Sequence, residues 1–305
     1  MSLRFQRTLK DSDILRAQQN THTLWGDGLP LDTRLEKLRK LMSYEGLLSF
    51  SGLFNDTGDM LCSMKWYSFD IRFKNRPIRS VGFGAIFTPE PLRGKGYAKF
   101  MIQEAMKEAK AQGYEAALLF SDIDPAYYTQ FGFFLVDSSK LVVPVAELPR
   151  YEGDLKTRLA MEKDVQALRS FFTSSFPDDF VHMGRVGAQW DFFREKNGPS
   201  NDYILSQNGE DLGYVSFHEE EGETFLDEFA FKPELRQTSL ALLGSFLSEK
   251  PFQTVTTWKH PSFLGKIPGH LSRRPKAVSM LATLSDRLEF PSNLDQYWFG
   301  PLDQY

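Results

Sequence analysis

A glycine-containing loop stands between two segments of regular structure and reads Arg93-Gly94-Lys95-Gly96-Tyr97-Ala98. A strand-like segment, 78–87, precedes the loop, and apolar residues recur at helical spacing over 98–112 after it. A helix N-terminus presents unpaired backbone N–H groups and a partial positive charge, and glycines keep Cβ atoms out of a ligand's way. We therefore predict that residues 93–98 bind phosphate groups through the main chain.

The segments around the loop form a predicted β-loop-α-β unit. Apolar and polar residues alternate over 59–73, a turn follows at 75–77, and the next strand, 78–87, contains glycines that let a ligand approach closely. Gly113 ends the predicted helix, and the short apolar run 116–120 is typical of a buried parallel strand. The pattern predicts an α/β fold.

Two pairs of segments indicate an internal repeat. Residues 231–236, Phe-Lys-Pro-Glu-Leu-Arg, echo residues 87–93, Phe-Thr-Pro-Glu-Pro-Leu-Arg, and an amphipathic helical segment follows both. Residues 158–165 echo residues 7–14, with Arg and Asp at matching separations. We predict two tandem copies of one fold.

The predicted copies divide the chain into residues 1–149 and 154–305. A chain of 305 residues is long enough for two domains, and either half is expected to bury its own core. The second copy has Gln237-Thr238-Ser239 where the first has its glycines. Only the first copy is therefore predicted to bind phosphate.

The composition is that of an ordinary globular protein, with 41% hydrophobic and 25% charged residues. The net charge of −4 gives no reason to expect nucleic acid or a membrane surface as a partner. No apolar run is long enough to span a bilayer and the first residues lack a secretory signal, so we expect a cytoplasmic location. Cys62, the single cysteine, lies in a strand-like run and is expected to be a buried structural thiol.

A second motif lies beyond the next predicted strand, where residues 121–133 read Ser-Asp-Ile-Asp-Pro-Ala-Tyr-Tyr-Thr-Gln-Phe-Gly-Phe. This segment resembles the Tyr-x-x-x-Gly-Phe signature of the GNAT acetyltransferase superfamily, whose loop motif Arg/Gln-x-x-Gly-x-Gly/Ala matches Arg93, Gly96 and Ala98. The resemblance covers residues 3–144, and the rest of the chain is similar only as a degenerate copy. It implies a mixed, splayed β-sheet flanked by helices, in a tandem arrangement similar to that of mycothiol synthases and enhanced-intracellular-survival acetyltransferases.

The resemblance also implies acetyl-CoA as cosubstrate. Its predicted binding residues are Ile86, Phe87, Thr88, Arg93, Gly94, Lys95, Gly96, Tyr97 and Ala98. The first three are expected to pair their backbone with the pantetheine arm, and the other six to hold the pyrophosphate. Thr88 stands where the family usually has an aliphatic residue, which leaves the register of the pantetheine contact open.

The tyrosine of the second motif, Tyr128, is the predicted catalytic acid for the departing thiolate, whereas its neighbour Tyr127 is expected to pack. No general base is assigned, because Glu90, Asp122 and Asp124 all lie near the motifs. The five histidines show no His-x-x-x-His spacing and have no cysteine partners, so no metal site is predicted.

We interpret the chain as an acetyl-CoA-dependent N-acetyltransferase that acts on a primary amine of a small molecule or peptide. The alternative is a non-catalytic acyl-CoA-binding regulatory module, which needs the loop but has no use for a thiolate acid. A transferase of aminoacyl groups from tRNA is disfavoured by the acidic balance and by the lack of a basic, aromatic-laced stripe. The acceptor and the oligomeric state are not predicted.

Overall fold

The computed structural model describes residues 2–26, 28–198, 200–260 and 262–304. The described residues form two mixed β-sheets flanked by helices. The first half of the chain contains β1 Arg4–Gln6, α1 Asp11–Trp25, α2 Leu31–Met42, β2 Leu48–Phe54, β3 Met60–Phe73, β4 Arg76–Phe87, α3 Tyr97–Ala111, β5 Ala116–Ser121, α4 Ala126–Thr129, β6 Phe134–Leu135 and β7 Ser139–Pro144.

The second half repeats much of this order, with an added strand, β9, between its first two helices and no α-helix that corresponds to α4. It contains β8 Lys156–Leu159, α5 Val165–Ser175, β9 Val181–Met183, α6 Ala188–Asn197, β10 Asn201–Gln207, β11 Glu210–Glu220, β12 Glu223–Phe231, α7 Ser239–Ser248, β13 Thr254–Trp258, β14 His270–Arg273, β15 Val278–Thr283 and β16 Tyr297–Trp298. A short 3₁₀ helix follows the third long strand of each half, at Glu90–Leu92 and at Pro233–Thr238. The two sheets are consistent with the predicted tandem copies.

The two halves exchange strands: the first half supplies β7 to the second sheet, and the second half supplies β15, β9 and β16 to the first. The first sheet has the order β1-β2-β3-β4-β5-β15-β6, with β9 and β16 at its side, and the second has the order β14-β7-β13-β12-β11-β10-β8. Strand β7 of the first half thus lies between β13 and β14, and β15 of the second half lies between β5 and β6. Each half of the chain therefore completes the sheet of the other.

The exchanged strand β15 is part of the first half's core. It pairs antiparallel with β5 along its whole length, from Val278 opposite Ser121 to Thr283 opposite Ala116. Met280 and Leu281 are both 0% exposed, and they pack into the clusters on opposite faces of the first sheet. The expectation that either half buries its own core is wrong at this strand. The sequence pattern indicates that the strand is buried but does not indicate which strand it pairs with. The division into 1–149 and 154–305 stays a prediction.

The β-loop-α-β unit forms as predicted. Helix α3 begins at Tyr97 and buries one face, composed of Met101, Ile102, Ala105 and Ala109, against the first sheet. Gly113 follows the helix with φ of 77°, a left-handed conformation that favours glycine. The chain then enters β5, which pairs parallel with β4.

Candidate functional site

Strands β4 and β5 separate at their C-terminal ends. Their parallel pairing begins at Ser80 and Ala116 and ends at Gly82 and Leu118. Beyond that point β4 contains a bulge opposite residues 63–65 of β3, with Ala85 at φ of 46°. The backbone of residues 83–87 therefore runs beside an opening in the sheet, as the predicted splay requires.

A cavity of about 400 Å³ lies at this opening. Its floor is formed by the ends of β4 and β5, and one side is covered by Trp25 of α1, Leu38 of α2 and Leu29 of the segment between these helices. Residues from the second half, Glu195 of α6 and Gln304, close another side. A cavity of this size and mixed polar and apolar lining is typical of a small-molecule site.

The glycine loop has the conformation that main-chain binding of phosphate needs. Gly94 and Gly96 have φ of 75° and 80°, and Gly96 directly precedes the first residue of α3. A Cβ atom built on either glycine meets no atom within 4 Å, so open space borders the main chain at the helix N-terminus. The loop therefore fits a diphosphate held by backbone N–H groups.

Arg93 and Thr88 contact the protein itself. The Arg93 Nε donates a hydrogen bond of 3.1 Å to the Thr88 carbonyl oxygen, which ties the loop to the end of β4. The Thr88 hydroxyl donates to the Cys62 Sγ at 3.3 Å and so points into the protein. Cys62 is 1% exposed and burial raises the pKa of its thiol to about 12, which agrees with a structural thiol. The Thr88 side chain thus has an interior partner, and its carbonyl oxygen is held by Arg93.

Tyr128 lies on the wall of the cavity. The short helix α4 carries it, and its ring packs edge-on against Tyr127 at 5.1 Å and Phe133 at 6.3 Å between ring centroids. The residue is 8% exposed. Burial, followed by the nearby Tyr127 and Asp122, raises the pKa of Tyr128 above its ordinary value, so the phenol remains protonated at neutral pH.

The structure brings only some of the predicted site residues to the cavity. Ile86 and Tyr128 line it, whereas residues 93–98 lie outside its lining and form the loop that leads into α3. Phe87 packs edge-on against Trp25 at 6.4 Å between ring centroids. An extended ligand would therefore have to reach from the loop along β4 into the cavity.

Two carboxylates line the cavity among the described residues, Asp122 and Glu195. Of the three bases left open by the sequence, Glu90 and Asp124 do not line it. Glu195 was not predicted at all, because it lies in the second half and no motif surrounds it. Its carboxylate is held by Lys40 at 2.6 Å.

The equivalent region of the second half is filled by aromatic rings. Strands β12 and β13 pair only at Phe225 and Thr256, so this sheet also opens. The space beyond is about 20 Å³ and is bordered by Phe176, Phe263, His260 and Trp298, among others. Burial lowers the pKa of His260 to about 3, so this histidine is neutral and packs as a ring. The second opening lacks both the room and the glycine loop that a ligand would need.

Comparison with known proteins agrees with this geometry. Residues 6–136 match the acetyltransferase (GNAT) domain family. A probable N-acyltransferase from Enterococcus faecalis V583 shares 15% identity and superposes with a TM-score of 0.75 over 93% of this chain and 73% of that one. A GCN5-related N-acetyltransferase from Anabaena variabilis ATCC 29413 shares 12% identity and has a TM-score of 0.69 over 93% of this chain and 73% of that one. A GCN5-related N-acetyltransferase from Kribbella flavida shares 16% identity and has a TM-score of 0.67 over 92% of this chain and 70% of that one. No curated protein sequence matches the chain.

These findings support an acetyltransferase. The structural similarities, at such low identity, show the fold alone, and the segment 6–136 carries the family assignment. Residues 6–136 thus form a GNAT acetyltransferase domain, which covers less than half of the chain. Acetyl-CoA is the general cosubstrate of GNAT domains.

No group of three or more histidine, cysteine, aspartate or glutamate side chains in the described ranges is arranged to hold a metal ion. None of the helices in the described part of the chain is both long and apolar enough to cross a membrane.

Proposed function

We propose that this chain transfers an acetyl group from acetyl-CoA to a primary amine of a small molecule or peptide by direct attack on the thioester. The pyrophosphate binds the N-terminus of α3 at residues 93–98, and the pantetheine arm runs along the backbone of residues 86–88. The thioester then lies in the opening between β4 and β5. One observation carries the proposal: the buried Tyr128 lines the cavity that lies at this opening.

Each group of the site has a task in the reaction. The acceptor nitrogen attacks the thioester carbonyl carbon, a C–N bond forms, and the C–S bond breaks. Backbone N–H groups at the β4 bulge, around Ala85 and Ile86, stabilise the carbonyl oxygen as it becomes negative. Tyr128 donates its phenolic proton to the departing sulfur, and it can do so because burial keeps it protonated. The surrounding walls exclude water from the thioester.

An acceptor panel tests the proposal. The purified full chain would be incubated with acetyl-CoA and, in turn, with glucosamine, lysine, spermidine and tyramine, and the release of free CoA thiol would be followed. We expect turnover with at least one amine, together with its acetylated product by mass spectrometry. Tight acetyl-CoA binding without turnover on any amine would instead favour the non-catalytic binding module.

Tyr128→Phe separates the acid role of Tyr128 from its packing role. The phenylalanine ring keeps the edge-on contacts with Tyr127 and Phe133 but has no proton to donate. We expect kcat to fall by about 10²–10⁴-fold, the usual contribution of a general acid, while acetyl-CoA affinity is unchanged. Steady-state kinetics and calorimetric titration measure the two quantities. A variant that folds and turns over at the parent rate would assign Tyr128 to packing alone.

We expect one acetyl-CoA per chain. The second half has Gln237-Thr238-Ser239 in place of the glycines, and aromatic rings fill its opening. Calorimetric titration with acetyl-CoA should therefore give a stoichiometry of about one, since the N-terminus of α3 borders open space and the corresponding segment of the second half has no glycines. Two equivalent sites per chain would contradict this prediction.

A further inference from the structure

The reaction proposed above needs a group that removes a proton from the acceptor. The candidates are the carboxylates that line the cavity. An amine is mostly protonated near neutral pH, and an ammonium has no lone pair with which to attack a carbonyl. Asp122 and Glu195 are the carboxylates on the cavity wall among the described residues. Glu195 already forms an ion pair of 2.6 Å with Lys40, whereas none of the ion pairs between described residues includes Asp122.

One oxygen of Asp122 is held in place by the exchanged strand. The residue directly follows β5, and its Oδ1 accepts a hydrogen bond of 3.0 Å from the Ala277 backbone N–H. Ala277 immediately precedes β15, which pairs with β5 from Ser121 onward. Among the described residues this backbone N–H is the hydrogen-bond donor to the carboxylate, and Oδ2 is left for a hydrogen bond from a ligand.

Asp122 is also close to the predicted acid. Its negative charge is one of the causes that raise the pKa of Tyr128, after burial and the neighbouring Tyr127. The cavity thus holds a phenol that stays protonated and a surface-facing carboxylate that is exposed to solvent. A protonated phenol and a carboxylate that line the same cavity can serve as the acid and the base of one reaction.

We infer that Asp122 is the general base that accepts a proton from the attacking amine of the acceptor. This inference rests on the proposed function. The acceptor ammonium loses one proton to the Asp122 carboxylate, which passes it to solvent, and the neutral nitrogen forms the C–N bond. The nitrogen loses its second proton as the amide forms, and this proton replaces, by way of solvent, the one that Tyr128 gives to the CoA sulfur. The products are the acetylated amine, CoA thiol and one proton in solution.

The test uses two nucleophiles that differ in their need for a base. The first is the fastest amine of the acceptor panel, and the second is hydroxylamine, which is already neutral near neutral pH. In the full chain, Asp122→Asn should lower kcat/KM for the amine by about 10²–10⁴-fold. The same variant should lower the rate with hydroxylamine by less than about tenfold, because no ammonium has to be deprotonated before attack. Asparagine retains an oxygen for the Ala277 N–H, so the fold and the acetyl-CoA affinity should be preserved.

Asp124→Asn is the matched control. Asp124 is two residues away, does not line the cavity, and accepts a hydrogen bond of 3.0 Å from the Ala126 backbone N–H, which an asparagine oxygen also accepts. We expect its turnover to match that of the parent protein with both nucleophiles. Glu195→Gln tests the rival carboxylate under the same conditions.

Three results would overturn the inference. In the first, Asp122→Asn turns over the amine at the parent rate. In the second, it loses activity equally with both nucleophiles, and this equal loss would indicate a structural role. The selective loss could also follow Glu195→Gln instead. Failure of the proposed function looks different: the parent protein itself would not turn over any amine, and the assignment of a base would fall with it.

Discussion

Gly96→Val should abolish detectable acetyl-CoA binding, whereas Lys95→Ala should weaken it only a few-fold. Gly96 has φ of 80° and stands directly before the first residue of α3. A β-branched residue in this left-handed conformation costs roughly 1–2 kcal/mol and would turn the first N–H groups of the helix away from their present direction. Its side chain would also occupy the open space in which the proposed pyrophosphate lies.

Lys95→Ala is expected to lower the affinity for acetyl-CoA much less than Gly96→Val. Lys95 is exposed, and an exposed ammonium is screened by salt and water, so its attraction for a phosphate is small. Backbone N–H groups at a helix N-terminus are fixed in place and need no reordering when the phosphate arrives. We therefore expect a loss of affinity on the order of 100-fold or more for Gly96→Val, equivalent to about 1.4 kcal/mol for each factor of ten.

Gly222→Val is the matched control for backbone strain. Gly222 has φ of 83°, also borders open space, and lies in the hairpin between β11 and β12, far along the chain from the loop. This variant should bear a similar strain and still bind acetyl-CoA with the parent affinity. Calorimetric titration of the three variants gives the comparison. A larger loss for Lys95→Ala than for Gly96→Val would show that charge, and not the main chain, holds the pyrophosphate.

The local parts of the site were predictable because they depend on residues close together in sequence. The loop at residues 93–98, the helix after it and the parallel strand beyond it are set by glycine positions and hydrophobic periodicity. Tyr128 was predictable in the same way, since Pro125 precedes the short helix that carries it. Arg93 shows the limit of such reasoning, because the sequence gives its charge but not its hydrogen bond to the Thr88 carbonyl.

The walls of the cavity and the strand exchange could not be predicted from local patterns. Glu195 and Gln304 reach the cavity from the second half, and no motif marks either residue. The segment Val278–Thr283 is apolar enough to indicate a buried strand, but the same pattern fits a place in either sheet. Which sheet this strand joins depends on contacts between segments that are distant in sequence, and hydrophobic periodicity gives no information on such contacts.

The exchange predicts that a fragment of residues 1–149 will not fold alone. The fragment lacks β15, whose Met280 and Leu281 are 0% exposed and pack on opposite faces of the first sheet. Removing one buried Leu or Met side chain costs about 2–5 kcal/mol, and a whole domain is stable by only about 5–15 kcal/mol. The fragment also contains β7, which would have lost both of its partner strands, β13 and β14. We expect an aggregating or molten species without a cooperative unfolding transition.

A cut chain distinguishes the loss of the exchanged strand from a need for an intact connection. Residues 152–154 are exposed, and a protease site introduced there would sever the chain between β7 and β8 without removing any strand. The cut protein should remain a single particle in size-exclusion chromatography and retain its near-ultraviolet circular dichroism, because each sheet still holds the strand that the other half supplies. If residues 1–149 instead purify as a monomer that unfolds cooperatively, β15 is dispensable to the first sheet, and the two halves are independent domains after all.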